Sequence, residues 1–256
     1  ERYGSDKPDL RFGLPIVGHG ESVGQRDLAD GSRSSALKFS SADARSLIRE
    51  GSGYWKYIPT DEGVRFLTWY DYEPRFGRAG NVFDRVFFRP LMGWATAWSF
   101  DRLRLWLERG VNPAAALRQA LTRTTARLAL AFIFAYQGWV PKLFAHHADE
   151  ITMLRDAGLP SDWTPTVLAL IGMAEIVFAF ALLFYWRSRW PARVTLGLMA
   201  VTTLGVGLRS PGYLEAAFNP ISLNLAVAAL AVVDLLNLAD APSAARCLRT
   251  PPLDPP

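Results

Sequence analysis

The run TVLALIGMAEIVFAFALLFYW, residues 166 to 186, constrains this chain more than any other feature. It is about as long as the ~20 apolar residues that cross the hydrocarbon of a bilayer at 1.5 Å per residue. Near its middle stands one ionisable side chain, Glu175. A carboxylate at that depth costs at least ~2.5 kcal/mol, so it is expected to face a helix interface or a polar cavity rather than lipid. Its same-face neighbours Ile171, Gly172, Phe178 and Ala179 include two small residues that let a second helix come close.

Three further apolar segments accompany it: LALAFIFAYQGWVPKLF at 128 to 144, VTLGLMAVTTLGVGL at 194 to 208, which reaches spanning length only from Trp190, and ISLNLAVAALAVVDLLNL at 221 to 238. Residues 1 to 127 carry 20 Lys+Arg and 15 Asp+Glu, against 8 and 9 in residues 128 to 256, so the second half is the membrane candidate. Arg118, Arg123 and Arg127 precede the first segment, Arg187, Arg189 and Arg193 fill the connection from second to third, and Arg246 and Arg249 follow the fourth. The 145 to 165 loop has Arg155 against four acids. This alternation predicts four spans in a bacterial inner membrane with both termini cytoplasmic, and Trp139, Trp163, Trp186 and Trp190 fall where an interfacial aromatic belt belongs.

The first half reads differently. ESVGQRDL, SSALKFSS, SLIRE, YWKYIP and VRFLTWYDY are short strand candidates separated by turn signals, GSG among them, which predicts an antiparallel meander. From residue 79 to 110 large apolar residues recur at three- and four-residue steps, the signature of a long helix, which Pro90 is expected to kink or divide. The opening ERYGSDKPDLRFG is polar and turn-rich, without an initiator Met or a secretory signal pattern, and reads as the start of a fragment or processed product.

The second half, through YQGWVPKLF, ITMLRDAGLP, GMAEIVFAFALLF, RWPARVTLGLMAVTTLGVGL and FNPISLNLA, resembles the DoxX-like family of small four-helix bacterial membrane proteins over about residues 120 to 240. The resemblance implies a four-helix transmembrane bundle and says little about chemistry, although the name descends from a subunit of a thiosulfate:quinone oxidoreductase. The stretch GSGYWKYIPTDEGVRFLTWYDYEPRFGRAGNVFDRVFFRPLMGWATAWSFDRLRLWLE looks like the later strands and closing helix of a START-like (SRPBCC) domain, which implies an α+β fold around a hydrophobic-ligand cavity. The first strand and small helices of that pattern are missing; either they lie upstream of Glu1 or this copy is incomplete. The expected domains are therefore 1–110, START-like; 111–127, a basic connector; 128–240, the four-helix membrane domain; and 241–256, a Pro-rich tail.

Glu175 could be a neutral acid holding helices together, a proton carrier or a ligand contact. Gln137, Lys142, Arg209, Asn219 and Asn224 all fall toward the non-cytoplasmic side in this topology, and their convergence with Glu175 would make a polar pocket. Trp69, Trp94 and Trp98 are the aromatic candidates for a soluble cavity, with plain core against the sheet as the simpler reading. Asp234 reads as a solvated helix end. His146 and His147 are adjacent, about 100° apart on a helix, and unsuited to chelating one ion, so no metal is expected. One cysteine, Cys247, excludes an intrachain disulfide or a four-cysteine cluster. There is no nucleophile with a base, no phosphate loop and no dense basic face for nucleic acid. The expected function is binding or transfer of a lipid, isoprenoid or quinone without covalent chemistry, between a cytoplasmic cavity and the membrane pocket. The alternatives are an auxiliary quinone-binding subunit of a redox complex, with a partner protein supplying electrons, or an assembly scaffold, self-associated or not. No cofactor is expected, quinone excepted.

Overall fold

A computed structural model of the chain describes residues 16–217, 219–239 and 241–248; the polar opening segment and the end of the Pro-rich tail lie outside them. The chain divides into two compact units with the boundary between Ala95 and Thr96. The first contains an antiparallel meander of β1 (His19–Asp27), β2 (Arg33–Ser40), β3 (Ile48–Thr60) and β4 (Gly63–Pro74), neighbours in that order. Then come α1 (Gly77–Phe83), a π-helical turn at Asp84–Phe88, and α2 (Arg89–Arg109), which runs across the boundary.

β3 corrects the strand reading at one point. SLIRE and YWKYIP are one strand, and Gly51 and Gly53 between them are not a turn. A Cβ on Gly51 would lie 2.5 Å from the Phe39 ring and 2.7 Å from the Asp71 carbonyl. These glycines therefore serve close approach between neighbouring strands. Near Pro90 the helical stretch is divided, as expected, by the π turn between α1 and α2. The proline is the second residue of α2, one residue beyond the π turn, where the wider spacing accommodates the carbonyl that the proline ring would otherwise strike.

A small polar cluster ties the helix to β4. The Tyr72 hydroxyl donates to Asp84 Oδ1 at 2.5 Å, and Arg89 donates from Nε to Asp84 Oδ2 and from Nη1 to Asp71 Oδ1, each at 3.0 Å. The Arg89 guanidinium also sits 4.6 Å from the centre of the Tyr72 ring. Burial, helped by the Asp84 carboxylate, pushes the Tyr72 phenol up, while the Arg89 hydrogen bond holds the Asp71 carboxyl low. Because the folded value of the phenol lies above the unfolded one, its contribution to stability is intact below the unfolded pKa and is lost as pH rises through the folded one. Tyr72→Phe removes the donor from a buried carboxylate and should cost about 1–3 kcal/mol. The loss should be visible as faster amide exchange in β4 and α1 with little change in the helices beyond α2.

The second unit is helical. Asn112 caps α3 (Pro113–Gln137) by accepting from Ala114 N at 2.9 Å and Ala115 N at 3.3 Å. The segment expected as a basic connector is thus the first part of a helix that continues into the apolar run. A π turn at Gly138–Phe144, around Pro141, ends it, and α4 (Ala148–Asp156) occupies part of the 145 to 165 loop. Then come α5 (Thr164–Phe184), α6 (Trp190–Arg209), a short 3₁₀ turn at Pro211–Glu215 and α7 (Pro220–Leu236). α3 packs on α5 and α7, and α6 packs chiefly on α7, around Leu130, Phe134, Ala179, Leu182, Val227 and Ala231. α5 and α6 are each long and apolar enough to cross a membrane. α3 with its π turn meets the same test jointly with α4, bent by 92°, and α7 is apolar but has 17 residues, about 25 Å of helix.

Three buried charges meet at the end of α5. Arg127, fully buried, donates from Nε to the Leu182 carbonyl at 2.8 Å and from Nη2 to the Tyr185 carbonyl at 2.7 Å, and pairs with Asp234. Arg123, also buried, reaches the Trp186 carbonyl, and its Nε lies 3.1 Å from Asp234 Oδ1. The carbonyls at a helix C-terminus have no partners within the helix and carry negative partial charge, and a guanidinium answers both needs. Asp234 is therefore not a solvated helix end, and Arg123 and Arg127 are not surface flanking charges; Arg187, Arg189 and Arg193 are exposed.

On the same side, residues after α7 lie against α2. Ser243 N donates to Asp101 Oδ2 at 2.7 Å, Arg246 Nη1 donates to the same oxygen at 3.2 Å, and Cys247 Sγ lies 3.1 Å from the Ala97 carbonyl. Asp234→Ala should be the severe change at the arginine cluster, about 3–5 kcal/mol, because two guanidinium groups stay buried with no carboxylate. Thermal unfolding in detergent should show the triple variant R123L/R127M/D234L less destabilised than that single one.

Candidate functional site

Gly138 and Gly172 make the site possible. A Cβ on Gly172 would lie 2.8 Å from the Gly138 carbonyl and 3.0 Å from the Lys142 side chain, so the end of α3 and the middle of α5 touch backbone to backbone. The π turn that follows Gly138 carries Lys142 across this contact and against Glu175. Lys142 Nζ lies 3.1 Å from Glu175 Oε2, donates to Glu150 Oε1 on α4 at 3.1 Å and reaches the Gln137 carbonyl at 3.4 Å. The lysine is 7% exposed. Its contact with Glu175 is an ion pair of poor hydrogen-bond alignment, since Glu175 Oε2 accepts no hydrogen bond, whereas the contact with Glu150 is a hydrogen bond.

Glu175 opens onto a cavity of about 650 Å³ between α3, α4, α5, α6 and α7. Its apolar walls come from Ile133, Phe134, Met153, Met199, Leu223 and Val227. Of the residues expected to converge, Gln137, Arg209, Asn219 and Asn224 line this cavity with Glu175, and Lys142 adjoins it through its two carboxylate partners. They do not all bond to one another. Asn224 Nδ2 donates to Thr202 Oγ1 at 3.1 Å and Thr203 Oγ1 at 3.0 Å, joining α7 to α6. Asn219 caps α7 by accepting from Ser222 N at 2.8 Å. Arg209, at the end of α6, makes no hydrogen bond or ion pair among the described residues.

α4 covers this end of the cavity. Ser210 Oγ donates to Asp156 Oδ2 at 2.8 Å, and His147 caps α4 through Nδ1, 3.3 Å from Asp149 N. Among the described residues there is no cluster of three or more His, Cys, Asp or Glu able to hold a metal. The sequence reading missed Glu150 and α4 itself. The signal was present in the acids of the 145 to 165 loop, which counted only toward topology. Lys142 shared by two carboxylates leaves one formal negative charge, and Arg209 supplies a positive charge on the same cavity wall.

The aromatic candidates separate. Trp69 stacks on Tyr54 with ring centres 6.0 Å apart and lines an open cleft on the sheet of about 570 Å³, together with Glu21, Lys38, Glu50 and Asp71. Neither Trp94 nor Trp98 lines it. Trp94 is 49% exposed, and Trp98 lies under the Arg102 guanidinium at 5.5 Å.

Comparison with known proteins fits this architecture. Residues 131–232 match the family described as DoxX-like, a stretch that begins in the apolar part of α3 and ends within α7. The chain is 47% identical over 129 residues to an uncharacterised membrane protein, YndG, of Bacillus subtilis (strain 168), a match covering 50% of this chain and 48% of the relative. The chain thus spans about half the length of the curated relative it matches. No solved structure matches it. The similarity to DoxX-like proteins thus lies in the helical unit, over residues 131–232. Gly172→Val should force α3 and α5 apart by overpacking, at a cost of about 1–3 kcal/mol. Cross-linking between cysteines placed at 134 and 178, where the Phe134 and Phe178 rings of α3 and α5 lie 4.8 Å apart, should fall in that variant, while cross-linking between 203 and 224, on α6 and α7, is unchanged.

Proposed function

We propose that the helical unit is a four-span bundle that binds one hydrophobic or amphipathic small molecule, a lipid, isoprenoid or quinone, with Glu175 and Lys142 at the polar end of its cavity. The cavity itself carries the reading. Its 650 Å³ lies within the roughly 300–1,000 Å³ of small-molecule sites, and apolar walls with a few convergent polar groups are their usual chemistry. An ion pair held inside membrane-spanning helices, open to a cavity on one side, is costly to keep for packing alone.

Contacts at the two ends of the helices support the topology. The start of α3, the end of α5 and the end of α7 meet in the Arg123–Arg127–Asp234 cluster. The π turn after α3, the end of α6 and the start of α7 meet at the cavity. Because residues 243–247 touch α2 at Ala97 and Asp101, the crossings between them must be even in number. Four crossings, with the arginine-rich end cytoplasmic, satisfy this parity and the distribution of Arg187, Arg189 and Arg193. The meander followed by a long helix supports the START-like reading of the first unit, which would present ligand to the membrane domain.

Native mass spectrometry in mild detergent tests the binding function, wild type beside Glu175→Gln. The wild type should retain a stoichiometric apolar molecule, and the variant should hold it at least about tenfold more weakly, equivalent to ~1.4 kcal/mol. A quinone in that place would turn the reading toward a redox subunit. A folded but empty protein in both cases would overturn the binding function in favour of a scaffold.

A further inference from the structure

The first unit carries an apolar face that its own fold leaves uncovered. Val82, Phe83, Val86, Phe87 and Leu91 recur at the spacing of one helix face through α1, the π turn and the start of α2, and are 64%, 52%, 55%, 64% and 59% exposed. The opposite side of the same stretch holds the buried Gly80 and Asp84, directed at β4 through Tyr72. The extra residue per turn contributed by the π turn keeps Phe83, Phe87 and Leu91 in register, with the Phe83 and Phe87 rings 5.9 Å apart.

The polar residues beside this face are of one sign. Arg78 and Arg85 are exposed and make no ion pair among the described residues, while Arg89 is held by Asp71 and Asp84. From residue 76 to 95 the only acidic side chain is Asp84, which is 4% exposed and already bonded. An apolar stripe with aromatic residues, flanked by unneutralised arginines and no exposed acid, is the composition of a helix lying in the headgroup region of a bilayer. The same chain enters a membrane further on, so a bilayer surface is within its reach.

We propose that Val82, Phe83, Val86, Phe87 and Leu91 dock the first unit on the anionic surface of the bilayer that the second unit spans, with Arg78 and Arg85 on lipid phosphates. The helix lies in the plane of the surface, with the phenylalanines among the upper acyl chains and the sheet on the side away from the lipid. This docking does not depend on the cavity around Glu175.

The test is a nitroxide at residue 87, Phe87→Cys in a Cys247→Ser background, in the full chain reconstituted into phosphatidylcholine nanodiscs with and without phosphatidylglycerol. Leu91→Cys serves as a second reporter, should the first variant fold poorly, and Asp61→Cys, in the turn between β3 and β4, as the aqueous reference. With phosphatidylglycerol, the label at 87 or 91 should be open to oxygen and shielded from a water-soluble nickel chelate, and the label at 61 should show the reverse. Arg78→Gln with Arg85→Gln, or omission of phosphatidylglycerol, should return the first label toward the chelate, by about fivefold in the docked-to-free ratio per arginine lost. Shielding from both reagents would mean that a second copy or another protein segment covers the face, and free access to the chelate would mean that water does. Either result would overturn the proposal.

Discussion

The Arg127 guanidinium is the group around which the helical unit is organised. It closes the C-terminus of α5 by taking carbonyls that the helix cannot satisfy itself, and it makes the carboxylate of Asp234 tolerable inside α7. A carboxylate near the C-terminal end of a helix opposes the macrodipole, and a buried one has no water to screen it. Two arginines on one face of α3 reverse both penalties. The connection from α5 to α6 is fixed by the same contacts, since Arg123 binds the Trp186 carbonyl while its guanidinium lies 5.6 Å from the Trp186 ring. With that end fixed, the cavity and its acid–base pair can form at the other.

The two ends differ in what surrounds their charges: the arginine cluster is closed on all sides, and the Glu175 end opens onto a cavity. At the arginine cluster Arg127 spends its donors on backbone carbonyls and on Asp234, while Arg123 Nε and Asp234 Oδ1 face each other at 3.1 Å as an ion pair without a hydrogen bond, and the groups are buried on all sides. At the cavity end, Lys142 donates to Glu150 and to the Gln137 carbonyl and meets Glu175 only as an ion pair, so that Glu175 keeps an oxygen without a hydrogen bond, and the Arg209 side chain has no partner among the described residues. Incomplete satisfaction beside a cavity is the arrangement expected where a ligand or water completes the network.

Much of this was legible in the sequence, and the failures have physical reasons. Periodicity and composition gave the apolar helices, the meander and the long helix after Gly77, because each has a strong local signal. The convergence of Gln137, Arg209, Asn219 and Asn224 with Glu175 on one cavity followed from placing polar residues by depth in alternating spans. Asp234 was misread because its position near a helix end says nothing about what covers it, and its partners lie 107 residues away for Arg127. Gly51 and Gly53 were misread because a glycine that permits close strand contact carries the same letter as one that permits a turn. Trp94 and Trp98 fell on a helix face as periodicity requires, but periodicity does not name the surface that the face meets.

The contact between α2 and the residues after α7 bears on how the chain is assembled. Asp101 and Ser243 are 142 positions apart, and Ser243 leaves the ribosome only after α3, α5, α6 and α7 have been made. Asp101, with no exposure of its own, is held by Arg104 on the next turn of α2 from the outset, but its second oxygen has to wait for the Ser243 amide and Arg246. Non-local contacts of this span form late, because the loop they close must be ordered before they return any energy. The helical unit is therefore completed only by its last residues, and a nascent chain halted within α7 would hold its apolar helices around a clasp that is still open.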